Sequence, residues 1–177
     1  MRKGRPKTTM LGFQATLGDQ AIEDLLSYLR SLQDAAPPAV APARRPPPLP
    51  LGPVPLNPRG PEPEGFLKYP GVTPVDVVHA QLGRHARMAL LDARAPSDYA
   101  NEHIAGAVSV PFYDPAPYFA ALPKNAWLVC YCACPHAESS ELAQKLISAG
   151  FKKVTVLREG LGGWSVKKHM THKGDKP

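Results

Sequence analysis

The rhythm of apolar and polar positions divides the chain into three parts. From Gly18 to Gln33, GDQAIEDLLSYLRSLQ sets Ile22, Leu25, Leu26, Leu29 and Leu32 on one helical stripe. Asp19, Glu23 and Asp24 near its start and Arg30 near its end suit the helix dipole. One helix cannot bury such a stripe alone, so it must dock on a partner or on a missing piece of its own domain. From Pro37 to Pro63 the chain is almost half proline. Proline fixes φ and removes amide donors, which predicts a semi-rigid polyproline-type spacer and neither helix nor inner strand.

The third part alternates two kinds of pattern. In TPVDVVHAQL, Thr73 is the expected N-cap, Pro74 the first helical residue and Asp76 an acid of the first turn. MALLDA (88–93) is a short apolar run that predicts a buried strand, PSDYANEHI a brief helix and GAVSVPF a second strand. AWLVCY predicts a third strand, SSELAQKLISAGF an amphipathic helix closing at Gly150, and KVTVL a last strand. Strands alternating with helices imply an α/β fold, a parallel sheet covered by helices on both faces. Sites in such sheets lie beyond the carboxyl ends of strands. The expected division is therefore 1–34 helical fragment, 35–64 proline-rich disordered linker, 65–169 α/β domain and 170–177 disordered tail.

Charge changes this picture little. The formal net charge is +6, but the excess lies in the N-terminal residues, the proline-rich part and the tail, while 65–166 is close to neutral. No basic stripe interleaves with aromatics, so a nucleic-acid partner is not expected. No run of about 18 apolar residues occurs, so no membrane span is expected. MRKGRPKTTMLGF has neither a long apolar core nor a small-residue cleavage site, so it does not read as a signal peptide, and location is left open.

All three cysteines fall in WLVCYCACPHAESSELAQKL, where Cys130, Cys132, Cys134 and His136 occupy every second position. Three chemistries fit. A metal clip is disfavoured, because alternate strand positions stand about 6.5 Å apart along the strand and the usual repeated zinc spacing is absent. His169 and His172 form only a loose pair in the tail. A Cys132–Cys134 disulfide is strained and would be labile. The third reading explains more: a strand delivers Cys132 into a short turn (Ala133, Pro135, His136, Ala137, Glu138), and a helix begins near Ser139. Amides of the turn and of the helix N-terminus then converge on the sulfur and stabilise an anion bound there. Cys130, mid-strand, reads as a buried small hydrophobe.

Two stretches, LLDARAPSDYANEHIAGAVSVPF and LVCYCACPHAESSELAQKLISAGFKKVTVLREGLGGW, together resemble the rhodanese-like (sulfurtransferase) domain. The resemblance runs from about Pro70 to His169 and includes the closing Gly162, Gly163 and Trp164. It implies that Cys132, directly after Tyr131, is the sulfur-carrying nucleophile, taking sulfur from a small donor and passing it to a thiophilic acceptor as a persulfide. It implies that Asp92 and Arg94 brace the active loop. The chain departs from the family where many active members carry an arginine five residues after the nucleophile, since Ala137 stands there and Glu138 follows. The segment is also one residue longer than usual, as in phosphatases of this fold, whose arginine corresponds to Glu138. Phosphate chemistry then lacks its bidentate partner, and thiosulfate becomes a poor donor. Cys134 stands as an alternative or resolving thiol, and His136 as a positive partner. The other function class is a non-catalytic binding or redox-sensing module with a redox protein partner.

GRPKTTMLGFQATLGDQAIEDLLSYLRSL resembles the last third of a c-type cytochrome. By that resemblance Met10 would be the axial haem ligand and Tyr28 part of the packing helix. No Cys-x-x-Cys-His occurs, so this chain cannot attach haem in the c-type manner. Haem c and electron transfer are therefore expected only in a longer parent protein, which would mature in the periplasm, and no cofactor is expected in this chain.

Overall fold

The structure, a computed structural model, describes residues 17–34, 52–133 and 136–177. The chain divides into two units, Met1–Pro46 and Pro47–Pro177. The described part of the first unit is essentially one helix, α1 (Asp19–Asp34). Its Ile22 is buried, whereas Leu25, Leu26 and Leu29 of the apolar stripe and the neighbouring Tyr28 are exposed.

The second unit runs β1 (Val72–Thr73), α2 (Val75–Gly83), β2 (Met88–Asp92), α3 (Pro96–Asn101), β3 (His103–Ile104), β4 (Ala107–Ser109), β5 (Trp127–Tyr131), α4 (Ala137–Ser148), β6 (Val154–Leu157), α5 (Gly160–Val166) and β7 (Thr171–His172). Five strands form a parallel sheet in the order β1-β6-β5-β2-β4. Strand β5 is central, and its residues alternate between two cores as the pleat requires. Leu128 and Cys130 join Leu142, Ala143 and Leu146 of α4 and Phe151. Trp127, Val129 and Tyr131 join Val75 and Val78 of α2, Tyr99 of α3, and Leu161 and Trp164 of α5. Burial on both faces explains why the strands read as unbroken apolar runs.

Three local expectations change. Thr73 does not cap α2. Its Oγ1 shares a 2.7 Å hydrogen bond with Thr155 Oγ1 and accepts one from the Leu67 N–H at 3.2 Å. Pro74 takes the cap position, and the Val75 N–H donates to Glu159 Oε2 at 2.8 Å, a partner distant in sequence. Residues 52–64 form neither helix nor strand, as expected of the spacer, but they are tied to the domain. The Arg87 N–H donates to the Pro61 carbonyl at 2.8 Å, and Asn57 Nδ2 to the His85 carbonyl at 2.9 Å. Glu62 accepts hydrogen bonds from Arg87, Trp127 Nε1 and Lys153. Proline loses its donor but keeps its carbonyl, so a proline-rich strap can still be tied from the domain side.

The expected tail is also ordered into the fold. β7 pairs antiparallel with β3, and the N–H groups of Ala105 and Gly174 donate to the carbonyls of Met170 and Ala100. The exposed edge of β3 offers amides that the C-terminal residues satisfy. His169 and His172 do not form a pair: His169 stacks on His79 with centroids 3.7 Å apart, and His172 lies edge-on to His103 at 6.1 Å.

Candidate active site

Cys132 follows directly on the last residue of β5, at the carboxyl end of the central strand. The parity that turns Leu128 and Cys130 toward α4 does the same for Cys132. Its Sγ lies 3.4 Å from Ser139 Oγ, and both residues are buried. Helix α4 starts from His136, whose backbone is left-handed at φ 80° and whose carbonyl accepts the Ser140 N–H at 2.8 Å. Ser139 Oγ also lies 3.3 Å from that carbonyl. The amides of Ala137, Glu138 and Ser139 precede this bond, so the first turn of α4 presents N–H groups beyond its own ladder. Cys134 and Pro135 lie outside the described residues, as does Met10.

The loop is tied from behind by α5. The Leu161 N–H donates to the Cys132 carbonyl at 2.9 Å. Gly160 makes the approach feasible at φ +57°, since a Cβ there would lie 2.5 Å from the Cys132 oxygen. Tyr131 is buried beside it, and its hydroxyl accepts the Ile104 N–H at 3.1 Å. Burial first, and then the Asp92 charge, pushes the Tyr131 phenol well up, so it stays neutral.

Asp92 pairs in register with Tyr131 on the neighbouring strand. Its Oδ1 accepts the Arg94 N–H at 3.0 Å and Nε at 2.9 Å, and its Oδ2 accepts Nη2 at 2.6 Å. Nη2 also donates to the Glu102 carbonyl at 2.6 Å. Burial works against the Arg94 charge, but the bonds to Asp92 more than offset it and the guanidinium stays charged. Glu138 lies in the first turn of α4, where burial and then the Asp98 charge raise its pKa, with Arg94 acting in the other direction. Burial likewise pushes the Cys130 thiol strongly up, leaving it a packed hydrophobe.

Residues 75–167, just over half of the chain, match the family model of the rhodanese-like domain. The chain belongs to the rhodanese-like family. The fold agrees with solved structures. The Alr3790 protein from Anabaena sp. is 28% identical with a TM-score of 0.54, over 58% of this chain and 80% of that one. A thiosulfate sulfurtransferase from Pseudomonas aeruginosa is 26% identical with a TM-score of 0.51, over 59% of this chain and 21% of that one. The BH2092 protein from Bacillus halodurans, at 20% identity and TM-score 0.55 over 59% of this chain and 77% of that one, shares the fold. No curated protein matches the chain. The likeness of residues 1–34 to a c-type cytochrome finds no support in these matches.

Within the rhodanese-like domain, Cys132, Ser139, Asp92, Arg94 and Glu138 gather where β2 and β5 end. Ala133 and Ala137 are exposed and contribute backbone alone, and His136 supplies its carbonyl. Among the described residues, no group of three or more His, Cys, Asp or Glu side chains is placed to hold a metal. Sequence reasoning missed Gly160 and Glu159. The glycine-dense REGLGGW was a signal of close backbone approach, whereas nothing local tied Glu159 to α2.

Proposed function

We propose that this rhodanese-like protein transfers sulfane sulfur through a persulfide on Cys132. The observation that carries the reading is the placement of Cys132 at the end of the central strand, 3.4 Å from Ser139 Oγ at the start of α4. The Cys132 thiolate attacks the sulfane sulfur of a small donor. The donor's bond to that sulfur breaks, its electron pair leaves with the donor fragment, and a new S–S bond forms at Sγ. A thiophilic acceptor then attacks the outer sulfur and Cys132 departs as thiolate.

The surrounding residues support each state. Ser139 has one hydroxyl proton and two neighbours, Sγ and the His136 carbonyl. In the thiol state S–H donates to Oγ and O–H to the carbonyl. In the thiolate state the hydroxyl turns to the sulfur anion, a charge-assisted bond. Asp92 and Arg94 act as braces: their mutual bonds fix the β2–α3 turn beside Tyr131. The route uses no cofactor. The sequence has no Cys-x-x-Cys-His, so this chain does not attach haem in the c-type manner.

The test is intact-mass analysis of the reduced protein after exposure to polysulfide, beside Cys132→Ala and Cys134→Ala. Gain of one sulfur, lost only in Cys132→Ala, is expected. Gain that follows Cys134 reassigns the nucleophile. A Cys132–Cys134 disulfide that cycles without sulfur gain replaces the enzyme with a redox-sensing module.

A further inference from the structure

Directly after β6, the segment 158–161 touches two parts of the fold at once. On one side it meets the junction of β1 and α2. The Arg158 N–H donates to the Thr73 carbonyl at 2.9 Å, and Glu159 Oε2 accepts the Val75 N–H at 2.8 Å. Pro74 stands between those two partners with no amide to offer and φ fixed at −61°, so the junction is stiff. On the other side the Leu161 N–H donates to the Cys132 carbonyl at 2.9 Å. Glu159 also starts α5, its own carbonyl accepting the Gly163 N–H at 3.0 Å. A Cβ on Gly163 would collide with Glu159 Cβ, so glycine at 163 keeps the side chain's path to α2 open.

We infer that Glu159 is a positioning residue for sulfur transfer: its bond to Val75 anchors the segment whose Leu161 N–H orients the Cys132 peptide. This rests on the sulfur-transfer reading. The peptide between Cys132 and Ala133 is planar and trans, so its N–H points opposite to its carbonyl. Helices α5 and α4 pack on opposite faces of the sheet, Leu161 in one core and Leu142 in the other. With the carbonyl turned to α5, the Ala133 N–H faces the α4 side, where Sγ meets Ser139 Oγ. An amide held in that direction meets the charge of a thiolate or persulfide without reorganising. Once the segment is freed from α2, the carbonyl shifts with it and the amide loses its aim. The tie works by reach, because the Val75 N–H needs an acceptor oxygen on a side chain as long as glutamate.

The test uses the full chain with Glu159→Ala, Glu159→Gln and Glu159→Asp, beside Thr155→Val as a stability control. Glutamine keeps the acceptor oxygen at the same reach and drops the charge. Aspartate keeps the charge but is one methylene too short. Thr155→Val breaks the 2.7 Å bond to Thr73 on the same β1–β6 seam, away from the nucleophile loop. Loading of Cys132 from polysulfide is followed by peptide-mapped mass at several donor concentrations, and amide exchange at Leu161 by NMR. Glu159→Ala and Glu159→Asp should load on the order of tenfold more slowly at saturating donor. Their half-saturating donor concentration should be little changed and their Leu161 exchange faster, whereas Glu159→Gln stays within about twofold of wild type. Should Glu159→Ala fail to fold, the comparison of aspartate with glutamine decides alone. If Glu159→Asp behaves as wild type while Glu159→Gln does not, charge rather than reach is at work and the inference falls. It falls also if Glu159→Ala loads no more slowly than Thr155→Val, or if loading slows while Leu161 exchange is unmoved. In each of those cases wild-type loading of Cys132 leaves sulfur transfer standing. A wild type that gains no sulfur overturns the sulfur-transfer reading and this inference with it.

Discussion

Gly160→Ala perturbs the backbone that holds the nucleophile without touching the thiol. Gly160 sits at φ +57°, and a Cβ added there lies 2.5 Å from the Cys132 oxygen and 3.1 Å from the Ala133 oxygen. Both obstacles are backbone atoms, and the first already accepts the Leu161 N–H at 2.9 Å. The left-handed conformation alone costs an alanine about 1–2 kcal/mol, and a displaced carbonyl loses a bond of about 1 kcal/mol. A total of about 2–3 kcal/mol lowers the melting temperature by roughly 10 °C for a domain of this size. The effect on sulfur loading is larger, because a displacement of about 1 Å at a reacting group lowers rate about 100-fold. Two controls divide the causes. Gly106→Ala has the same strain at φ +81° with open space around it, and Gly162→Ala meets only Ala133 O at an ordinary 3.8 Å. Thermal denaturation and initial rates of Cys132 loading are the assays. If Gly160→Ala melts with Gly106→Ala and loads within about twofold of wild type, the tie between α5 and the loop is irrelevant and the reasoning fails.

The remaining predictions concern the supports. Arg94→Ala leaves Asp92 buried and unpaired and should cost about 3–5 kcal/mol in urea unfolding; an intact midpoint would show that the pair braces nothing. Tyr131→Phe strands the Ile104 N–H and should cost about 1–3 kcal/mol, read from the same transition. Glu62 is held down to about 2, first by its hydrogen bond with Lys153 and then by Arg87. A depressed carboxyl stabilises the fold above its ordinary range near 4.5 and loses that contribution as pH falls toward about 2. Because Glu62 is largely exposed, solvent screening limits the effect to about 1 kcal/mol. Glu62→Gln should therefore be weaker than wild type at neutral pH and converge with it in acid. Parallel stability–pH curves would contradict the tie.

The parts legible in sequence were those whose cause is local. The apolar runs of β2 and β5 and the 3.6-residue period of α4 specify elements by burial, and the elements stand where those patterns put them. The strand–turn–helix around Cys132 was readable for the same reason, and so was the burial of Cys130. What escaped reading depends on partners far along the chain. Glu159 reaches Val75 and Glu62 reaches Trp127 and Lys153, and neither carboxylate carries a mark of its distant donor. A proline-rich composition disguised the segment tied by Glu62, and a short basic tail disguised β7, which forms only because β3 has a free edge. Gly160 is intermediate: its glycine-rich setting advertised a close approach but not the carbonyl being approached.

The most direct test of the central account is a single-turnover experiment on protein loaded with sulfur and freed of donor. Cyanide is added, and Cys132 persulfide and thiocyanate are followed together by peptide-mapped mass and colorimetry. The account predicts that the persulfide disappears from Cys132 at the rate thiocyanate appears, one for one. Thiocyanate formed while the Cys132 persulfide persists, or formed equally by Cys132→Ala, would contradict it.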